Sequence, residues 1–161
     1  MQIFRPFKCY DQSARFLCDS RLNKQVLECY QVAKSILVHM TIMEGRGGYF
    51  RHPITQHVYN NGRPYLPSLY QFMEACNREW LRRGKNRGSE FAAKIENLRL
   101  IVIKHHDQFS WEYLPPFYCY GDDRVYHEEQ VYQLYRKLLK QKWGTDKIIP
   151  KCSIILKHTN T

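Results

Sequence analysis

The sequence predicts a mostly α protein, a compact single-domain helical bundle with little or no β structure. Three observations carry that expectation. Apolar residues recur at spacings of three and four in four separate stretches. Helix-opening and helix-stopping residues bracket those stretches. The 161 residues suit one domain, and no internal repeat, low-complexity tract or linker divides residues 1–161.

Taken in order, residues 1–12 read as an extended start, because Pro6 disfavours a helix through that point. A helix is expected from Asp11 or Ser13, both favourable N-caps, continuing or restarting after Asp19. Leu22, Val26, Cys29, Ala33, Ile36, Leu37 and Met40 then trace one face of a helix of about five turns. The stretch "EGRGGYFRHP" breaks it, so residues 44–65 read mostly as loop, with a short helical turn at "ITQHVY".

A second helix, "PSLYQFMEACNREWLRRGKNR", opens at Pro67 and Ser68 and turns Leu69, Phe72, Met73, Cys76, Trp80 and Leu81 inward. A third follows Gly88, capped by Ser89. The stretch "YLPPFYCYGDDR" reads as an aromatic loop, and "YHEEQVYQLYRKLLKQKW" as a fourth helix stopped by Gly144. Residues 145–161 read as an extended C-terminal tail whose apolar run, Ile154 to Leu156, forms a strand or a packed extended segment.

Twenty-five Lys and Arg against fifteen Asp and Glu give a formal charge of +10. Such a surface concentrates polyanions around itself, so nucleic acid is the leading partner; a generally basic face or an acidic protein partner is the alternative. No run of 18 apolar residues exists to cross a membrane, and "MQIFRPFKCYDQ" is unlike a signal peptide, so a cytoplasmic location is expected. The six cysteines form no CxxC pair and read as buried free thiols rather than disulfides or a zinc site. "HEEQV" lacks the second histidine of the HExxH zinc pattern, and "GRGG" lacks the full phosphate-loop pattern, so no metal or other cofactor is expected.

The candidate chemistry centres on "DSRLNKQVLECYQVAK", residues 19–34. At 100° per residue Lys24, Glu28, Gln31 and Ser35 share one stripe, with Arg21 a turn earlier and Gln25 beside them. An ordinary surface stripe with an i,i+4 pair, worth about 0.3 kcal/mol, is one account of it. Against it, a single carboxylate among the cations of a polyanion-binding protein repels the ligand unless it has a chemical task. Further candidates for nucleic-acid contact are His52 in "RHP", Arg82 and Arg83 at a strongly basic helix end, and His127 at the opening of the fourth helix. Tyr118 and Tyr120 are candidates for stacking on an unpaired base, a contact worth ~1–3 kcal/mol. Packing, capping or a solvated face remains open for each of these.

The start "MQIFRPF", the run "LCDSRLNKQVLECYQV", "RHP" after a glycine loop, "EWLRRG" and the late "LPP…H…YRKLLK" resemble the pyrimidine-dimer DNA glycosylase, or endonuclease V, superfamily. The resemblance spans most of residues 1–143 in order and is nearer to small bacterial and phage members, in which a "KRLxKQxxE" run and an "NHP" recur. It implies a compact helical bundle in which the N-terminal α-amino group attacks C1′ of the damaged nucleotide, forms a Schiff base and nicks the strand by β-elimination. Glu28 matches the key acid, Arg21 and Lys24 the phosphate-holding cations, with Gln25 on the same stretch and Arg5 added from the N-terminal segment.

An α-amino group, with a reference pKa near ~8, is deprotonated for attack more readily than a lysine near ~10.4. Characterised members expose a small residue after loss of the initiator methionine, whereas Gln2 discourages that loss. The nucleophile is therefore open between the amine of Met1, that of Gln2 after processing, and Lys24. The expected partner is double-stranded DNA, with a pyrimidine dimer as the default substrate and a modified cytosine or another phage-type base as the second; flipping such a nucleotide costs a few kcal/mol. A monomer in the nucleoid, or in host cytoplasm if phage-encoded, is expected. The competing class is a non-catalytic DNA- or RNA-binding protein, or a phage-encoded protein that docks on a host protein.

Overall fold

The computed structural model describes residues 1–153. They form six α-helices, two short 3₁₀ turns and one small hairpin: α1 Tyr10–Phe16, α2 Asp19–His39, α3 Pro53–Tyr59, α4 Leu66–Arg82, α5 Ser89–Lys104, β1 Tyr118–Tyr120, β2 Asp123–Val125 and α6 Glu128–Thr145. The architecture is mostly α, as expected, with one small two-stranded sheet among the described residues.

Helix α2 forms where the spacing places it, with Leu22, Val26, Cys29, Ala33, Ile36 and Leu37 all buried. That face packs on α4, whose Leu69, Phe72, Met73 and Cys76 are buried in turn, while α1 packs on α4 and α3 on α2. Leu81, expected inward, is 48% exposed. Nine residues at 100° put it on the opposite side of the helix from Phe72.

The helix starts differ from expectation. Cys9 and Cys18 occupy the cap positions of α1 and α2, and Gly88 that of α5, with Ser89 its first helical residue. Ser13 lies inside α1, where its buried hydroxyl donates to the carbonyl of Phe7 at 2.9 Å and accepts from the Phe7 N–H at 3.1 Å. Its hydrogen bonds thus fasten the N-terminal segment rather than open the helix. In the glycine loop, a Cβ on Gly47 would lie 3.0 Å from the Ser35 carbonyl, so this residue permits the loop to close on the end of α2.

The stretch read as an aromatic loop contains the antiparallel hairpin, pairing Tyr118 with Val125, Cys119 with Arg124 and Tyr120 with Asp123. Gly121, at φ +56°, takes the first position of its two-residue turn. The hairpin joins the core through Tyr135 of α6, whose hydroxyl donates to the Phe117 carbonyl at 2.9 Å and whose ring meets that of Tyr118. Four of the six cysteines are buried as expected; Cys9 is exposed and Cys152 half-buried. No helix among the described residues is long and apolar enough to cross a membrane.

Beyond α6 the chain turns back onto α1, α2 and α4. The Asp19 N–H donates to the Lys151 carbonyl at 3.1 Å, and the Ser153 N–H to the Arg15 carbonyl at 2.9 Å. The expected apolar segment Ile154 to Leu156 lies outside the described residues.

Buried Glu79 organises this junction. It accepts from Arg82 Nε at 2.7 Å, from Arg83 Nε at 2.8 Å and from the Ser153 hydroxyl. Burial pushes its carboxyl up, but hydrogen bonds from Arg82, Ser153 and Arg83 outweigh burial and hold it down at about 2. Because the folded value lies below the unfolded one, this stabilisation is present above pH 5 and is lost as pH falls toward 2. Glu79→Gln is expected to cost about 2 kcal/mol at pH 7, because Arg82 loses its acid and the half-buried Arg83 is left with Asp19 as its remaining one. Urea midpoints measured from pH 2 to 7 check it: the gap between native protein and variant should narrow steadily below pH 5.

Candidate active site

The N-terminal segment is laid along α2 by one glutamine. Gln25, fully buried, accepts from the Phe4 N–H at 2.8 Å and donates through Nε2 to the Gln2 carbonyl at 2.9 Å. One turn further along α2, Glu28 Oε2 accepts from the Gln2 N–H at 3.2 Å. From the other side, Gln2 Nε2 donates to the Cys119 carbonyl of β1 at 2.7 Å. The first residues are therefore held between α2 and the hairpin, and the chain terminus points at Glu28.

The resulting geometry joins three charges. The α-amino nitrogen of Met1 lies 3.8 Å from Glu28 Oε1, and Lys24 Nζ lies 3.7 Å from the same oxygen. Oε2 is occupied by the Gln2 N–H, so Oε1 is the oxygen that faces both amines. Glu28 is buried, whereas the Lys24 side chain is largely exposed. The Met1 side chain is only 2% exposed and packs inward, its sulfur accepting from the Thr55 hydroxyl of α3 at 3.8 Å. Its bulk is accommodated by the interior.

A groove of about 270 Å³ opens over these groups, lined by Gln2, Phe4, Ser20, Arg21 and Lys142 together with Met1, Lys24 and Glu28. Arg21 is clamped by Asp146, with bonds of 2.6 and 2.9 Å to the two carboxylate oxygens. Lys142 of α6 reaches the rim, its Nζ 5.1 Å from the centre of the exposed Tyr120 ring. Four cations against Glu28 and Asp146 leave the mouth electropositive, which favours an anionic ligand.

His52 stands close by. Its Nδ1 accepts from the Ile54 N–H at 3.2 Å and so caps α3. Burial first, then the positive N-terminal amine and Arg124, lowers its pKa below the ordinary histidine value. A neutral imidazole beside the amine follows, in keeping with an unprotonated Nδ1 that accepts the cap bond.

Other expected residues are engaged elsewhere. Arg5 is buried in the core: Nη1 donates to the Leu114 carbonyl at 2.6 Å, and its guanidinium lies 4.8 and 5.0 Å from the ring centres of Tyr10 and Tyr113. That placement corrects the expectation of a phosphate contact. Arg83 is taken up by Glu79, Asp19 and the Leu17 carbonyl, and Arg82 by Glu79 and Ser153, so both hold the chain junction described above. Tyr118 is buried against Tyr135. His127 is exposed at the cap position of α6 and makes no side-chain cap bond. Gln25 has its amide spent on the backbone of residues 2 and 4, which makes it a positioning residue rather than a DNA contact.

Lys142, Asp146, Thr55 and Arg124 belong to the site or its border and were not expected there from the sequence. The basic end "KLLKQKW" of the last helix is the one signal that pointed toward Lys142. No group of three His, Cys, Asp or Glu side chains able to hold a metal occurs among the described residues.

Gln25→Leu is expected to destabilise the fold by about 2 kcal/mol, because it strands the Phe4 N–H and the Gln2 carbonyl in the interior. Urea denaturation measures that cost. Limited proteolysis of the first residues should accelerate in the same variant, since the segment loses its link to α2.

Comparison with known proteins gives one match: a family model described as pyrimidine dimer DNA glycosylase aligns with residues 1–93. That span covers the N-terminal segment, α1 to α4 and the start of α5, and so includes Met1, Lys24, Gln25, Glu28 and His52. The hairpin and Lys142 lie beyond it. No curated protein and no solved structure matches the chain.

Proposed function

The chain belongs to the pyrimidine dimer DNA glycosylase family, and from that premise we propose that it excises a damaged or modified base from double-stranded DNA, with the amine of Met1 as nucleophile, Glu28 as proton carrier and strand nicking as the second step. The observation that carries this reading is the shared oxygen: one buried carboxylate oxygen faces the terminal amine at 3.8 Å, with Lys24 at 3.7 Å.

The roles follow from what each group can do. Attack needs the amine without its extra proton, and Glu28 Oε1 is placed to accept that proton. The nitrogen lone pair then forms a bond to C1′ while the N-glycosidic bond breaks and its electron pair leaves with the base. The proton held by Glu28 passes to the leaving base. Glu28 then takes a proton from the attached nitrogen and gives it to the sugar ring oxygen as the ring opens and the nitrogen–carbon bond becomes a protonated imine. Transfer of a C2′ proton to the Glu28 carboxylate and departure of the 3′ phosphate oxygen complete β-elimination and nick the strand. Lys24 and Lys142 supply positive charge where the strand's phosphates enter, and Arg21 adds to it if a phosphate displaces Asp146. Tyr120, exposed at the rim, offers a face for an unstacked base.

The substrate is proposed to be a pyrimidine dimer, with a modified cytosine as the second candidate. Incubating the untagged protein with duplexes that carry one or the other, followed by alkali and gel separation, tests this. Cleavage of the dimer duplex with the unmodified duplex intact supports the first candidate. Cleavage confined to the modified cytosine selects the second, and an absence of cleavage on both removes the glycosylase reading.

A further inference from the structure

A second groove, of about 470 Å³, runs beside the candidate active site. Ser20, Asn23, Lys24, Leu27, Arg87 and Phe91 line it, and Ser20 and Lys24 line the Glu28 groove as well, so the two are continuous along α2. None of the six lining residues is acidic.

Arg87 sets this place apart. Its Nε donates to Asn77 Oδ1 at 2.8 Å and its Nη1 to Asn23 Oδ1, both neutral acceptors, while Nη2 is buried without a partner. Its guanidinium lies 5.1 Å from the Trp80 ring centre and 5.7 Å from that of Phe91. Arg21, Arg78, Arg82, Arg83, Arg99 and Arg136 each pair with a carboxylate, and Arg5, held among rings without an acid like Arg87, is buried in the core and lines neither of these two grooves. A guanidinium held rigidly between rings, with no acid beside it and lining an open groove, leaves its charge for something from outside. Next to it stands Leu27, an apolar side chain that is 43% exposed.

Cationic ends beside an apolar wall match the chemistry of one nucleotide. We propose that this groove binds a nucleotide flanking the reacting one on the same DNA strand, with its phosphodiester between Lys24 and Arg87 and its sugar and base on Leu27 and Phe91. The proposal rests on the glycosylase reading, since it takes the strand as already anchored in the Glu28 groove. It extends the interface along α2 onto the loop that precedes α5, within the matched span.

The test is fluorescence anisotropy with the full-length untagged protein and a duplex carrying an uncleavable abasic-site analogue, titrated across salt concentrations. Arg87→Gln and Leu27→Glu should each weaken binding about tenfold at 0.1 M salt, and Arg87→Gln should reduce the slope of log Kd against log salt by about one. Arg87→Lys should recover that slope. A methylphosphonate at one flanking position should weaken the native protein but leave Arg87→Gln unaffected. Leu27 is exposed, so its variant keeps the fold, and thermal melting verifies this for all three. Native-like affinity and slope in Arg87→Gln and Leu27→Glu overturn the proposal. If those variants are native-like while the native protein cleaves a lesion duplex in the alkali and gel assay given above, only this groove assignment falls; if the native protein neither binds the analogue nor cleaves a lesion duplex, the glycosylase reading falls with it.

Discussion

Glu28→Gln is expected to lower product formation by about 10³-fold or more while leaving affinity for an abasic-site duplex within about threefold of native. Glutamine has the same shape and keeps an oxygen for the Gln2 N–H, so the N-terminal segment retains its 3.2 Å bond. What it lacks is a group that can accept a proton from one amine and pass it to a leaving base. The change also removes a negative charge from an electropositive groove, so binding should hold or tighten. Single-turnover kinetics on the preferred lesion, paired with anisotropy, separate the two effects. A rate within tenfold of native would remove Glu28 from the chemistry and return it to the role of an ion-pair partner for Lys24.

The second large effect concerns the amine itself. Extending the chain by two residues before Met1, or acetylating its amine, should abolish covalent capture of an abasic-site duplex, since the groove then holds an amide with no nucleophilic lone pair. Lys24→Gln provides the contrast. It removes the other nitrogen beside Glu28 Oε1 and should reduce capture by about tenfold through weaker phosphate binding, without eliminating it. If the extended protein still forms the adduct and Lys24→Gln does not, Lys24 is the nucleophile. Base release that persists in the extended protein without any nick would assign the first step to water.

Much of the fold was legible, because it rests on periodicities that local physics enforces. The face of α2 from Leu22 to Leu37 is buried as its spacing requires, and Glu28 lies at the edge of that face. The roles of Arg5 and Gln25 were hidden because they depend on contacts made across long stretches of chain. Arg5 reads as an exposed cation in an N-terminal segment, yet its partners are the Leu114 carbonyl and the rings of Tyr10 and Tyr113, two of which are more than a hundred residues away. Gln25 was visible as an amide on a basic helix, but its positioning role depends on residues 2 to 4 lying alongside α2.

Two misses were readable in hindsight. Glu79 stands three and four residues before Arg82 and Arg83, the spacing at which helical side chains pair, so the basic helix end was never wholly free for DNA. "YGDD" places a glycine–aspartate pair between short apolar and aromatic runs, which is a hairpin signal, although three-residue strands give little alternation to confirm it. Lys142 had no comparable signal, because only the packing of α6 brings it to a groove built mainly by the first 28 residues.

The proposed mechanism requires the terminal amine, held against Glu28, to form a covalent bond with DNA. Borohydride reduction of the untagged protein mixed with an abasic-site duplex, followed by digestion and mass mapping of the adduct, tests it most directly. The expected adduct is on the peptide that begins at Met1, with its added mass on the α-amino nitrogen. An adduct mapped to Lys24 or to any other internal lysine, or no adduct under conditions where the same protein cleaves DNA, would contradict it.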